Sequence, residues 1–161
     1  MNCEEYKKYY SEYTYYPIPK EVWETEHYES WKNHIHSCII CADWSLEQQV
    51  LQRGGNIADW PCVHMAYHAT FHCEEHAELS ECSKAIILYN DKFDEYCIGP
   101  RGGTGDHYEI KYCPICGLKL PGSKRDLYFE RLDEMGLEYG DDRIPKEYLS
   151  SEWYKKTEQK H

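Results

Sequence analysis

The segment Cys113-Pro114-Ile115-Cys116-Gly117 limits the possible folds more than any other part of the sequence. Two thiolates separated by two residues can bind one metal ion, because the turn between them directs both sulfurs to the same side. The glycine after the second cysteine permits the left-handed backbone that closes such a turn. The pattern therefore predicts one half of a structural zinc site. A redox pair or two buried thiols are the alternatives, but the surrounding pattern does not indicate the βαβ frame of a redox Cys-x-x-Cys.

The other half of this site must come from elsewhere, because structural zinc takes four protein ligands. The candidates are Cys38, Cys41, Cys62, His64, Cys73, His76 and Cys82. The spacing of Cys73-x-x-His76 favours that pair as the partner of Cys113 and Cys116. The strand order expected below favours Cys62 instead. It leaves Cys73, His76 and Cys82 together at the opposite end of the strands. One zinc ion and two zinc ions are both compatible with these patterns.

A second Cys-x-x-Cys pair, Cys38 and Cys41, precedes a predicted helix. A helix N-terminus lowers the pKa of a thiol, so a redox role is one interpretation. Two isoleucines separate these thiols, and no βαβ pattern surrounds them. A structural metal ligand or a buried core residue is therefore the preferred interpretation.

The first third of the chain shows helical periodicity. Four residues recur at every fourth position between residues 20 and 36: Trp23, His27, Trp31 and Ile35. This spacing predicts an amphipathic helix with one aromatic face. Asp43 or Ser45 would cap a second helix, which Gly54 ends. We therefore expect a helical, aromatic-rich extension over residues 1–58.

Residues 63–73 alternate apolar and polar side chains, which predicts a half-buried strand. The same region carries a histidine at every fourth position, which a helix would place on one face: His64, His68, His72 and His76. The consistently apolar odd positions favour the strand. Such a strand spans more than about 30 Å, so Cys62 and Cys73 are not expected to share a metal ion.

Three further strands are predicted at residues 85–89, 96–98 and 108–112. A glycine-rich hairpin loop over residues 100–105 is favoured over a phosphate-binding loop. Ser123 begins a helix that Gly136 ends. The predicted fold class is α+β: a zinc-stapled antiparallel β-meander, similar to a zinc ribbon, with an N-terminal helical extension and a C-terminal helix. The zinc-binding domain is expected to occupy residues 59–161.

The charge balance restricts the kind of partner. The formal net charge is −11, and an acidic surface disfavours nucleic acid and favours a basic protein partner. Sixteen tyrosines and five tryptophans add the residue types that dominate protein interfaces. The sequence contains no run of about 18 apolar residues, so it predicts no membrane span. The N-terminus lacks the apolar segment of a signal peptide, so we expect a cytoplasmic location.

These features favour a non-enzymatic protein that binds one or two structural Zn²⁺ ions and acts through protein–protein contacts. The acidic balance suits an inhibitor or immunity-like protein that binds a basic toxin or defence protein. The alternative is a metalloenzyme with an open-coordination zinc near His64 and His68. A catalytic zinc keeps one position for water, whereas a structural zinc is closed by four protein ligands. The His-Glu-x-x-His arrangement of many zinc hydrolases is missing.

The turn at residues 113–117, which we call the knuckle, opens a specific signature. It runs Cys113-Pro114-x-Cys116-Gly117-x-Lys119-Leu120-Pro121-x-Ser123-Lys124-Arg125-Asp126 and follows Cys62, Met65, Cys73-x-x-His76 and Cys82. On these residues the chain, from about position 61 to 153, resembles an uncharacterised bacterial family of small Cys-rich, zinc-ribbon-like proteins. The chain departs from the family pattern at two positions: the family has tryptophan where Ile115 stands and aspartate where Arg101 stands. The resemblance implies a domain of unknown function, supports the metal interpretation and implies no reaction.

Overall fold

The computed structural model describes residues 1–99 and 107–158, with side chains up to residue 155. The chain forms two compact units, Met1–Ile57 and Ala58–His161, which we call the N-terminal unit and the C-terminal unit. The hairpin loop predicted for residues 100–105 lies outside the described residues. No helix in the described part of the chain is long and apolar enough to cross a membrane.

The N-terminal unit is helical. Its helices are α1 (Cys3–Thr14), α2 (Lys20–Trp23), α3 (Glu26–Ser37) and α4 (Ile39–Gln52). The side chain of Thr25 accepts a hydrogen bond from the backbone of Tyr28 and so caps α3. The single helix predicted for residues 20–36 is therefore divided at this cap. The cap predicted at Asp43 or Ser45 is wrong, because α4 already begins at Ile39 with Cys38 as its N-cap.

An aromatic core holds the N-terminal unit together. The ring of Tyr6 stacks on the indole of Trp31, with centroids 5.0 Å apart, and the indole N–H donates to the backbone carbonyl of Tyr6 over 2.9 Å. The hydroxyl of Ser45 donates to the carbonyl of Cys41. It can then accept a hydrogen bond from the Tyr6 hydroxyl, 2.7 Å away. Ser45 thus serves the core in place of the predicted helix cap.

The C-terminal unit combines helices with a small sheet, so the predicted α+β class is confirmed. Its helices are α5 (Val63–Ala69), α6 (Arg125–Glu134) and α7 (Glu152–Glu158), with short 3₁₀ turns at Leu79–Glu81 and Lys146–Leu149. Within the described residues, strands β1 (Ile87–Asn90), β2 (Glu95–Ile98) and β3 (Tyr108–Glu109) form an antiparallel sheet in the order β1-β2-β3. The pairing of Tyr89 with Tyr96 sets the register of the first two strands.

The strand predicted for residues 63–73 is wrong, because the chain forms helix α5 there. The backbone N–H of Ala66 donates to the carbonyl of Cys62, and that of Thr70 donates to the carbonyl of Ala66, each over 3.0 Å. In a helix this short, consecutive residues can be buried together, and His64, Met65 and Ala66 are all buried. The spacing of four residues between the histidines, which is typical of a helix, was therefore a better guide than the alternation of apolar and polar residues. The predicted four-strand meander has three strands in the described residues.

Two groups of buried residues form the core of the C-terminal unit. One joins α5, the sheet and the cysteine knuckle, and consists of Met65, Ile87, Tyr96, Cys113 and Leu120. The other lies around α6 and α7 and consists of Phe93, Tyr128, Leu132, Leu137, Trp153 and Tyr154. The indole N–H of Trp153 donates to the carbonyl of Lys92 over 2.7 Å, which attaches α7 to the β1–β2 turn. The helix predicted to begin at Ser123 is observed as α6, but its N-cap is Lys124 and not Ser123. Gly136 follows its C-cap with a positive φ of 66°, as predicted.

Candidate metal centre

All nine cysteines are free thiols, and eight of them converge with histidines in three clusters among the described residues. Within each cluster the ligand atoms lie within 4.8 Å of one another. The central cluster is Cys62, His64, Cys113 and Cys116; the loop cluster is Cys73, His76 and Cys82; the N-terminal cluster is Cys3, His34, Cys38 and Cys41. Cys97 belongs to none of them. Thiolate and imidazole are the ligands that zinc and other soft or borderline metals prefer.

The knuckle supplies two ligands of the central cluster through local backbone geometry. The N–H of Gly117 donates to the carbonyl of Cys113 over 2.9 Å, and the N–H of Cys113 donates to the carbonyl of Leu118 over 2.8 Å. The N–H of Cys116 points at the sulfur of Cys113 at 3.5 Å. Gly117 has a φ of 71°, in the left-handed region that glycine adopts at little cost. These contacts hold both sulfurs on one side of the turn.

Helix α5 supplies the other two ligands. Cys62 is its N-cap residue and has an extended backbone, so its side chain lies beside the first turn. His64 stands in that first turn and is 4% exposed, with its Nδ1 atom shielded from solvent. Met65 of the same turn packs in one core with Cys113. The core therefore brings the start of α5 to the knuckle.

The thiols of the central cluster differ in their tendency to ionise. Burial raises the pKa of Cys62 to about 12, and the neighbouring sulfurs of Cys116 and Cys113 add to the shift. The backbone N–H of Leu118 lowers the pKa of Cys116 to about 7. A bound divalent cation would favour the thiolate form at both positions, because coordination displaces the thiol proton. Three sulfurs and one imidazole fit a tetrahedral metal ion with no position left open.

The loop cluster lies in the segment between α5 and β1. The sulfur of Cys73 is 3.3 Å from Nδ1 of His76, and this contact lowers the pKa of Cys73 to about 7. Cys82 follows the 3₁₀ turn Leu79–Glu81 and is buried. The cluster offers three protein ligands, one fewer than a closed zinc site requires.

The structure separates the residues that the spacing argument had joined. Cys73 and His76 lie with Cys82 in the loop cluster, and Cys113 and Cys116 lie with Cys62 in the central cluster. The grouping matches the one expected from topology, although the strand used to argue for it is a helix. Cys62 and Cys73 lie in different clusters, as expected: Cys62 is the N-cap of α5, whereas Cys73 lies in the segment after the helix.

His64 had been named both as a candidate partner of the knuckle and as part of an open catalytic site. It lies in the four-residue central cluster, whereas His68 lies in none of the three. In the sequence, the spacing Cys62-x-His64 at the start of a helix is the pattern that could have identified this ligand pair. The N-terminal cluster adds Cys3 and His34. His34 precedes Cys38 by one helical turn, which is a local signal, but nothing in the sequence near Cys3 indicates its partners.

The fold and the clusters define a class of protein, a small α+β domain with Cys/His clusters suited to metal binding. Its central cluster brings together the start of a helix and a Cys-x-x-Cys knuckle. The chain belongs to the family described as "Domain of unknown function (DUF6980)", whose model matches residues 59–156, more than half of the chain. Comparison with curated proteins and with solved structures finds no match. The matched segment includes the central and loop clusters and leaves the N-terminal cluster outside it.

Proposed function

We propose that this protein binds Zn²⁺ at the central cluster and that the ion is structural. The observation that carries the proposal is the convergence of four ligand atoms within 4.8 Å of one another, from two segments about 50 residues apart in the chain. Their chemistry, three sulfurs and one imidazole, is that of closed zinc sites. The arrangement is similar to a zinc ribbon that keeps one knuckle and takes its second ligand pair from the start of α5.

A structural role follows from the number of ligands. Four protein atoms fill the tetrahedral shell of zinc, so no position is left for a substrate or a catalytic water. The ion would fasten α5 to the knuckle, where the core among the described residues consists of five buried residues with four partly buried ones packed against it. Small domains with limited cores commonly depend on such metal crosslinks.

Native mass spectrometry of the purified full-length protein tests this site. The Cys113→Ser/Cys116→Ser variant is expected to carry one zinc ion fewer than the wild type. Cys97→Ser is the matched control, since Cys97 lies in none of the clusters, and its zinc content should equal that of the wild type. A folded wild-type protein without zinc, or a double variant with an unchanged zinc content, would contradict the proposal.

The action of the protein, in this proposal, is non-enzymatic contact with a basic protein partner, as expected of an acidic inhibitor. A cleft of about 960 Å³ in the C-terminal unit supports it. The residues that line the cleft include three aspartates, four aromatic residues and two lysines: Asp59, Asp91, Asp94, Trp60, Tyr89, Tyr96, Tyr154, Lys119 and Lys155. Aromatic faces beside carboxylates suit guanidinium and ammonium groups. The ring of Tyr154 already has the ammonium group of Lys124 5.0 Å from its centroid.

Titration with a fluorescently labelled oligoarginine peptide at low salt tests the cleft. Asp59→Asn/Asp91→Asn should weaken binding, because it removes two carboxylates from the lining. Glu130→Gln/Glu138→Gln is a control with the same change in net charge, made at exposed positions outside the cleft. Equal loss of affinity in both variants would show that binding depends on net charge alone and would refute the cleft as the docking site.

The metalloenzyme alternative is supported by one observation, the three-ligand loop cluster. Three protein ligands leave a fourth position for water, as in catalytic zinc sites. The alternative therefore moves from His64 and His68 to Cys73, His76 and Cys82. X-ray absorption at the zinc edge of a variant that combines Cys113→Ser/Cys116→Ser with Cys38→Ser/Cys41→Ser, which leaves the loop cluster as the one intact ligand set among the three, would show an oxygen scatterer if this alternative holds. A shell made only of sulfur and nitrogen would refute it.

A further inference from the structure

The N-terminal unit has a Cys/His cluster of its own, outside the segment that matches the family. Cys3 is the first residue of α1, His34 lies in the last turn of α3, Cys38 is the N-cap of α4, and Cys41 lies in the first turn of α4. Three helices therefore contribute to one point. The four ligand atoms lie within 4.8 Å of one another.

The corner between α3 and α4 prearranges three of these ligands. The N–H of Cys38 donates to the carbonyl of His34 over 3.0 Å, and the N–H of Cys41 donates to the carbonyl of Cys38 over 3.1 Å. Residues four apart on a helix lie on the same face. His34, one turn before Cys38, therefore faces the corner between α3 and α4. A Cys-x-x-Cys pair that opens a helix directs both sulfurs to one point, as at the knuckle.

Helix α1 brings the fourth ligand through the aromatic core. Tyr6 of α1 stacks on Trp31 of α3 and is within hydrogen-bonding distance of Ser45 of α4. Cys3 precedes Tyr6 by one turn on the same face. The sulfur of Cys3 consequently lies 3.6 Å from that of Cys38.

The cluster is polar and partly buried, with Cys3, His34 and Cys38 each half-buried. Cys41 is fully buried. Nε2 of His34 is also buried and has no hydrogen-bond partner among residues 1–99 and 107–158. Burying a polar atom without a hydrogen-bond partner costs free energy, so each such atom calls for an explanation. A bound cation, coordinated by the imidazole of His34 and the three sulfurs, would give this nitrogen a partner.

We propose that Cys3, His34, Cys38 and Cys41 form a second closed Zn²⁺ site, which fastens α1 to the α3–α4 corner of the N-terminal unit. The donor set, three sulfurs and one imidazole, is the same as in the central cluster. The two sites share no residue, so each can be tested without disturbing the ligands of the other.

A disulfide between Cys3 and Cys38 is the rival explanation. Its formation would remove two protons and two electrons and would require an external oxidant. It would also account for only two of the four convergent groups, leaving His34 and Cys41 unexplained. The sulfurs, 3.6 Å apart, are well beyond the bonded distance of about 2.05 Å. Metal binding explains all four groups.

Zinc stoichiometry of the full-length protein is the first test. Native mass spectrometry should show one zinc ion fewer in Cys38→Ser/Cys41→Ser than in the wild type and no loss in the control Cys97→Ser. Combining these changes with Cys113→Ser/Cys116→Ser should remove two ions in total. An unchanged zinc content in Cys38→Ser/Cys41→Ser would overturn the proposal and leave the central site unaffected.

A second measurement uses the wild-type chain and does not depend on the folding of a variant. Iodoacetamide labelling followed by peptide mapping gives the modification rate of each cysteine with and without a zinc chelator. Chelation should raise the rate at Cys3 and Cys38 by at least about tenfold, because zinc-bound thiolates are protected, and should leave Cys97 unchanged. Rates at Cys3 and Cys38 that do not respond to chelator would refute the site. So would a Cys3–Cys38 disulfide in the purified, unreduced protein.

Discussion

Replacing Glu95 with glutamine should lower the free energy of unfolding of the C-terminal unit by about 2 kcal/mol. The carboxylate of Glu95 is only 5% exposed. It accepts hydrogen bonds from Nε of Arg125 at 2.8 Å and from Nη2 at 2.6 Å, and a third from the hydroxyl of Ser123. These contacts join β2 to the start of α6. Glutamine keeps the shape but loses the charge and one acceptor oxygen.

The expected magnitude lies between two limits. Breaking a buried ion pair costs about 3–5 kcal/mol, whereas an exposed pair contributes about 0–1 kcal/mol. Arg125 is 47% exposed while Glu95 is buried, which places this pair between the limits. Urea denaturation followed by circular dichroism at neutral pH measures the difference. The control is Glu134→Gln, which breaks an exposed pair with Arg131 and should cost less than about 0.5 kcal/mol.

The pH dependence gives the same pair a second signature. Burial opposes ionisation of Glu95, but the hydrogen bonds from Arg125 and Ser123 outweigh it and hold the pKa of this carboxyl below its ordinary value of 4.5. Its contribution to stability is therefore fully present above pH 4.5 and is lost as the pH falls through the lowered pKa. The stability difference between wild type and Glu95→Gln should shrink over that acidic range. A difference below about 0.5 kcal/mol at neutral pH, or one independent of pH, would refute the reasoning.

Three further substitutions test other parts of the fold. Gly117→Ala should destabilise the knuckle by about 1–2 kcal/mol, because a φ of 71° is unfavourable for alanine. The added methyl group meets no atom within 4 Å, so the cost comes from the backbone alone. Urea denaturation should show a lower midpoint, and zinc titration a reduced affinity. Leu132→Ala removes a side chain that is 1% exposed in the core around α6, and calorimetry should show a loss of about 2–5 kcal/mol. Thr25→Ala removes the cap of α3 and should cost about 0.5–2 kcal/mol, seen as faster amide hydrogen exchange in the first turn of α3; unchanged exchange there would show that the cap is dispensable.

Local signals in the sequence predicted what local geometry determines. The Cys-x-x-Cys-Gly pattern identified the knuckle, and Gly136 identified the end of α6, because each depends on a few consecutive residues. The two main β segments were also placed, with shifts of one or two residues in strands β1 and β2.

Long-range features could not be predicted in the same way. Residues 63–73 carry both the period of two of a strand and the period of four of a helix. The helix forms because His64, Met65 and Ala66 are buried together, which the sequence pattern does not record. The partners of the knuckle depend on that choice. Cys3 reaches the α3–α4 corner because Tyr6 packs on Trp31, and no pattern around Cys3 records this contact.

If the two four-ligand clusters bind the proposed ions, they also make folding depend on the metal supply. A zinc ion bound by Cys113 and Cys116 together with Cys62 would close a loop of about 50 residues. Chain-entropy estimates value such a crosslink at about 4 kcal/mol. Unlike a disulfide, it forms and opens without electron transfer. The folded population would then follow the concentration of free zinc, and a fall in zinc would loosen both units in a reducing environment where disulfides offer no substitute.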